Sequence, residues 1–373
     1  MTMFGNGAAR RVLWSGAYIQ PQYVLWNNIH TRAQCTLRSS THIGRRCLHT
    51  AQSLAEGIQR GDRGCLARGI TLVESTRADH RKQARELVSL CMQVERPRTL
   101  RIGLTGTPGV GKSTFIEALG MQLVERGHRV SVLAVDPSSA RSGGSILGDK
   151  TRMQGLSCSD RAFVRPSPSR GTLGGVAQST LDSIVLTEAG GYDVCLVETV
   201  GVGQSETMVA GMVDMFVLLV QPASGDELQG VKRGIMELAD LLVVTKADAL
   251  QVSAKLTKSH LTNSLRLLLP RRSFWSPKCI RASAVTNHNL DRVWSTILFY
   301  FEKLQESGEW DAMRAAQRQK WLWQQVSYLL LERLHCHHET QRFAQSLEKS
   351  VHDGSLPPSV AAEQIVDRFL LKS

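Results

Sequence analysis

The clearest chemistry in the chain lies in nine consecutive residues, Gly106-Thr107-Pro108-Gly109-Val110-Gly111-Lys112-Ser113-Thr114. They satisfy G-x-x-x-x-G-K-[ST] at every fixed position, after an apolar run at 100–104 and before the helix-prone Phe115-Ile116-Glu117-Ala118-Leu119. A strand, a glycine turn and a helix start are the context in which this pattern holds phosphate. Glycines let backbone N–H groups turn inward around an anion, and the helix N-terminus adds partial positive charge. Lys112 is expected to reach the terminal phosphates, and the Ser113 hydroxyl to ligate Mg²⁺.

Further acids and polar loops follow apolar runs downstream. Asp136, in Asp136-Pro137-Ser138-Ser139, comes directly after the run at 130–135, where an acid beside a phosphate loop can hold the metal or its water shell. Asp149, in a Gly-rich stretch at 142–153, is a second candidate near the metal. The run at 194–197 ends in Glu198, with Gly201 three residues on, and a strand-end acid in that place orients Mg²⁺. Gly203-Gln204-Ser205-Glu206 then reads as a switch that orders on a triphosphate. The run at 241–244 ends in Thr245-Lys246-Ala247-Asp248, which is N-K-x-D with Thr in place of Asn. A carboxylate at Asp248 accepts both N–H groups on the Watson–Crick edge of guanine, a donor pair that adenine lacks. Arg281-Ala282-Ser283-Ala284-Val285 fits a strand-end S-A element that backs the base.

These residues require a scaffold that gathers strand ends. The runs at 100–104, 130–135, 194–197, 215–220, 241–244 and 279–282 are short and nearly free of polar residues. Strands buried on both faces of a mostly parallel sheet read this way, and such sheets bind ligands at their carboxyl ends. The expected fold is therefore α/β, a phosphate-loop sheet flanked by helices at 99–290. A helical arm at 56–98 precedes it, where 64–95 reads helical with a break near Thr76 or Asp79. A helical region at 291–373 follows. Its stripe of Leu290, Val293, Trp294, Ile297, Leu298, Phe301 and Leu304 stops at Gly308, and a second long segment carries Met313, Trp321, Val326, Leu329, Leu330 and Leu334. A helix of that length outside the nucleotide domain needs a partner surface, supplied either by homodimerisation, which is the expectation, or by packing within the chain.

Residues 1–55 contain six arginines and no Asp or Glu, so they hold half of the formal net charge of +12. Arg-rich, acid-free and Ser/Thr-containing sequence reads as a mitochondrial transit peptide, and the basic balance then says nothing of nucleic acid. No apolar run is long enough to span a bilayer. The eight cysteines are scattered without a C-x-x-C pair, which suits reduced thiols in a matrix compartment. His335-Cys336-His337-His338 makes a poor metal site, because consecutive residues do not share a helical face.

With these motifs in order, the chain resembles the MeaB and methylmalonic aciduria type A family of P-loop GTPases. The resemblance rests on 103–117, 133–139, 145–153, 163–176, 193–206 and 221–234. It implies a GTPase that chaperones methylmalonyl-CoA mutase, gates adenosylcobalamin loading, and protects or reactivates the mutase. It also implies a homodimer with slow intrinsic hydrolysis that the mutase accelerates. By the same resemblance the Mg²⁺ region falls on Ser113, Asp136, Asp149 and Glu198, and the guanine site on Lys246, Asp248 and Ser283-Ala284-Val285. A partner-sensing third switch falls on 225–233, where Gln229 and Lys232 match positions tied to activation. Two other readings fit a P-loop: a nickel-type metallochaperone GTPase and a small-molecule kinase. The first calls for a Cys/His site near the switches, yet 136–198 contains no His and only Cys158 and Cys195.

Overall fold

The computed structural model describes residues 50–135, 153–166, 173–199, 204–222 and 233–371. Residues 1–49, most of the expected transit peptide, lie outside the described residues, together with Asp136, Asp149, Gln229, Lys232 and most of the loops that carry them.

The sheet has seven strands in the order β3-β2-β4-β1-β5-β6-β7, and every pairing in it is parallel. The strands are β1 (Leu100–Gly106), β2 (Val130–Val135), β3 (Ala162–Arg165), β4 (Val194–Thr199), β5 (Met215–Val220), β6 (Leu241–Val244) and β7 (Lys278–Arg281). β4, β5 and β6 are buried along their whole length, which explains their unbroken apolar runs. β3 is the strand that sequence patterning misses. It has four residues, ends in half-exposed Arg165 and sits at the sheet edge, so its apolar signal is brief.

Helices α4 (Lys112–Glu125), α5 (Gln154–Cys158), α6 (Leu173–Ala189), α7 (Gln204–Ala210), α8 (Arg233–Leu238) and α9 (Gln251–Arg266) connect the strands. One face of the sheet packs Phe115, Ile116 and Leu119 of α4 against Ile102, Leu104 and Val217. The other packs Val176 and Ile184 of α6 and Val209 of α7 against Leu133, Val197 and Phe216.

Three helices precede β1: α1 (Ala51–Gln59), α2 (Arg63–Val73) and α3 (Ala78–Met92). They bury Ile58, Leu66, Ile70 and Leu87 against Leu186 and Tyr192. Ala51, Leu54 and Ala55 are buried in the same cluster, so the folded chain begins before the leader boundary expected at 55. The Thr50 side chain caps α1 by accepting from the Ser53 N–H at 3.2 Å.

The C-terminal helices are α10 (Leu290–Glu306), α11 (Glu309–Cys336), α12 (His338–His352) and α13 (Pro358–Leu370). α10 corrects the boundary at 290/291. Its stripe of Leu290, Val293, Trp294, Ile297, Phe301 and Leu304 belongs to the main sheet core, and Leu298 alone of the expected set is exposed. That helix stabilises the nucleotide domain itself. α11 is tied to the sheet by Arg314, whose guanidinium donates to both oxygens of the fully buried Asp214 at 2.9 and 2.7 Å. Its far end exposes Leu322, Trp323, Leu330 and Leu331. His337 accepts from the Thr340 N–H as the N-cap of α12, which gives this histidine a structural task.

Candidate functional site

The strand order decides which side chains meet. β1 lies between β4 and β5, with Leu104 in register with Glu198 and Gly106 with Leu219. The end of β4 therefore delivers its acid to the loop that leaves β1. At Gly106 a Cβ would stand 2.5 Å from the Leu219 carbonyl oxygen, so the loop turns away from β5 at a point where only glycine fits. Gly109 and Gly111 adopt φ of +82° and +93°, and the space around each is open to 4 Å. A side chain there would be strained and would fill the concavity that phosphate oxygens enter.

Lys112 begins α4, and its Nζ donates to the carbonyls of Gly106 at 2.8 Å and Thr107 at 3.3 Å. Burial pulls this ammonium below the usual lysine range, while the charges of Glu198 and Glu206 push it back up. The Ser113 hydroxyl donates to Glu198 Oε1 at 3.3 Å. Neighbouring oxygens of an octahedron with Mg–O near 2.1 Å lie about 3 Å apart, so this pair has the spacing and hardness that Mg²⁺ requires. Beneath it the Thr199 hydroxyl donates to Thr105 Oγ1 at 2.7 Å, pinning β4 to β1 inside the core.

The ends of β6 and β7 supply the second half. Thr245 is buried, and its hydroxyl donates to the Val110 carbonyl at 2.9 Å. The departure from N-K-x-D thus keeps one of asparagine's tasks, tying this segment to the phosphate loop. Lys246 holds φ at +51° and donates from Nζ to the Gly109 carbonyl at 2.8 Å. An L-residue in that region costs about 1 kcal/mol or more, a strain found where function fixes the backbone. Asp248 stands beside fully buried Ser283, whose hydroxyl together with backbone N–H groups holds its carboxylate below the usual range. Asp248 Oδ1 is shielded from solvent and has no hydrogen-bond partner among the described residues. An orphaned acceptor of this kind is costly unless a ligand supplies a donor. Ala284 packs on the core, while Val285 is exposed.

Lys112, Ser113, Glu198, Thr245, Lys246, Asp248 and Ser283 therefore sit along one rim of the sheet. Sequence reasoning did not anticipate the two ties onto the loop carbonyls from Thr245 and Lys246. The Thr in place of Asn at 245 is the one signal of them in the sequence. Among the described residues no group of three or more His, Cys, Asp or Glu side chains is placed to hold a metal ion.

The sequence model of the family described as "Methylmalonyl Co-A mutase-associated GTPase MeaB" matches residues 66–339. The chain belongs to the MeaB family of P-loop GTPases. A Mus musculus protein named methylmalonic aciduria type A homolog, mitochondrial, is 44% identical over 377 residues, covering 98% of this chain and 89% of its own. A probable GTPase of Mycobacterium tuberculosis is 50% identical over 319 residues, covering 85% of this chain and 95% of its own. A crystal structure of an LAO/AO transport system kinase superposes with a TM-score of 0.68 at 34% identity, over 88% of this chain and 100% of that one. As a MeaB family member the chain is a GTPase that binds and hydrolyses GTP.

The Thr245 tie predicts a particular defect. Thr245→Val keeps the shape but leaves the Val110 carbonyl unsatisfied, at a cost of about 1–3 kcal/mol. GTP and GDP affinities are expected to fall together by about tenfold, with the guanine-over-adenine ratio unchanged. Calorimetry with GDP and ADP checks both halves.

Proposed function

We propose that this chain is a GTP-driven chaperone of methylmalonyl-CoA mutase that works as a homodimer in the mitochondrial matrix. In this reading it couples GTP hydrolysis to loading of adenosylcobalamin and to protection or reactivation of the mutase. The observation that carries it is the match over 66–339 to a family described by its association with the mutase. The acid-free, Arg-rich leader and the mitochondrial name of a relative covering 98% of the chain support the compartment. The apolar side chains left exposed on α11 support self-association.

Within that function the side chains divide the work. The P-loop backbone from Gly106 to Thr114 cradles the phosphates, and Lys112 neutralises charge on the β and γ groups. Ser113 and Glu198, with Asp136 and Asp149, would hold Mg²⁺, which would offset the charge of the phosphates. Asp248 accepts from the guanine edge, Ser283 and the Thr245 and Lys246 ties hold it in place, and Ala284 and Val285 back the base. Gln229 and Lys232 sense the partner enzyme. Positioning and electrostatics supply most phosphoryl-transfer catalysis, so a partner that orders these loops accelerates hydrolysis without adding new chemistry.

The test is phosphate release from the full chain with GTP and Mg²⁺, alone and with methylmalonyl-CoA mutase. The expected outcome is a stable complex and at least a tenfold rise in turnover. Equal turnover with no complex in any nucleotide state would overturn the chaperone reading while leaving the GTPase intact.

A further inference from the structure

A second cavity lies away from the strand ends that carry the nucleotide residues. It occupies about 470 Å³ between α3, α6 and α11, where the residues preceding β1 also line it. Its walls are held apart by fixed contacts. Arg81 of α3 donates to Glu332 of α11 at 2.6 Å, and Arg314 anchors the start of α11 on Asp214 at 2.7 Å. Trp321 is fixed in the wall by its indole N–H, which donates to the Gly211 carbonyl at 3.1 Å. Ligand sites are typically concave, mostly apolar and several hundred Å³ in volume, with a few convergent polar groups.

Val88, Leu181, Val185 and Met212 supply the apolar lining. The polar groups are unevenly matched. Arg101 is consumed by a two-pronged pair with Glu188 at 2.7 and 2.8 Å, and Arg98 by Asp311 at 2.7 Å. Arg318 has no ion-pair or hydrogen-bond partner among the described residues. Gln317 donates from Nε2 to the Val213 carbonyl at 2.8 Å, but its Oε1 is shielded from solvent and unpartnered. A buried acceptor without a donor marks a place where a ligand N–H or O–H belongs. Asp182 also lines the cavity, with its Oδ1 accepting from Gln178 at 2.9 Å, and burial pushes its carboxyl up to about 6.

We propose that this cavity is a second ligand site, separate from the nucleotide site, for a small amphipathic organic anion. The apolar walls hold its body, Arg318 pairs its acidic head, and Gln317 Oε1 accepts from an N–H or O–H on it. Such a ligand would bridge α3, α6 and α11, joining the N-terminal helical cluster to the C-terminal helix.

The probe is 8-anilino-1-naphthalenesulfonate, which combines an aromatic body, a sulfonate and an N–H. Titrated into the full chain saturated with GDP, it is expected to show one saturable site per chain. Arg318→Glu, at an exposed position, should weaken that site about tenfold or more and leave GDP affinity unchanged. Val185→Trp, which fills the cavity, should abolish it, and the uncharged analogue N-phenyl-1-naphthylamine should bind more weakly than the sulfonate. Binding that is unchanged by Arg318→Glu, or no saturable binding while GDP fills the nucleotide site, would overturn the proposal. If Val185→Trp fails to fold, the charge reversal and the analogue still decide the matter.

Discussion

Lys112→Ala is expected to lower GTP turnover by about 10²–10³-fold, the usual loss when one preorganised donor to developing charge is removed. Lys112 Nζ lies against the carbonyls of Gly106 and Thr107, at the open concavity formed by Gly109 and Gly111. A phosphate entering that space meets the ammonium at once, and no other cation among the described residues donates to both carbonyls. The variant also separates a site effect from a folding effect. Burial already depresses the Lys112 ammonium, so the folded state disfavours its charge and removing it relieves a desolvation cost. Loss of the two carbonyl hydrogen bonds offsets that relief, so the thermal midpoint without nucleotide should change little, while the stabilisation that GTP confers disappears. Lys112→Arg should not rescue turnover, because a planar fork does not replace a compact ammonium donating between two carbonyls. Wild-type turnover and GTP-dependent stabilisation in Lys112→Ala would remove the lysine from the site.

The residues that carry local rules were readable from the chain. The P-loop stands out because its glycines serve backbone conformations that few other residues adopt, as φ of +82° at Gly109 and +93° at Gly111 demonstrates. The central strands β4, β5 and β6 were legible because burial on both faces leaves an unbroken apolar run, whereas β3 at the edge offers three apolar residues before its arginine. Periodicity showed that α10 buries a stripe but not against what. A stripe facing its own sheet and one facing a second chain obey the same spacing, and the contacts of Trp294 and Tyr300 with the main cluster decide for the sheet.

Long-range polar ties were illegible for a different reason. Arg314 and Asp214 are 100 residues apart, and nothing local to either one names the other. Thr245 is the sharper case. Its pattern departs from Asn, and a motif records residue identity, not the task performed. The task of reaching the Val110 carbonyl needs one donor at the right depth, and a hydroxyl at 2.9 Å supplies it as well as a carboxamide. Threonine offers no carboxamide to a base, so in the proposed reading more of the base discrimination would fall on Asp248.

That concentration makes Asp248→Asn the most informative substitution for base choice. The wild-type carboxylate offers acceptors only, which suits the two N–H donors of guanine, and its Oδ1 stands shielded and unpartnered in the described structure. Each hydrogen bond to a charged acceptor contributes about 1.5–3 kcal/mol, so GTP affinity should fall by about 10²–10³-fold. The asparagine amide then presents an N–H where guanine presents another, and the opposed donors add to the loss. Xanthine carries a carbonyl in place of the exocyclic amine while keeping its ring N–H, a pattern that matches one donor and one acceptor. XTP should therefore bind Asp248→Asn more tightly than GTP does, reversing the wild-type order. Turnover with XTP should recover toward the wild-type rate with GTP, since Lys112, Ser113 and Glu198 are untouched. The neighbouring hydroxyl sharpens the result, because Ser283 hydrogen-bonds to a charged carboxylate in the wild type and to a weaker, neutral acceptor in the amide. Ser283→Ala should weaken GTP binding in the wild type and leave XTP binding to Asp248→Asn nearly unchanged. Competition calorimetry with the two triphosphates measures each step, and an Asp248→Asn variant that still prefers GTP would show that this carboxylate does not face the base.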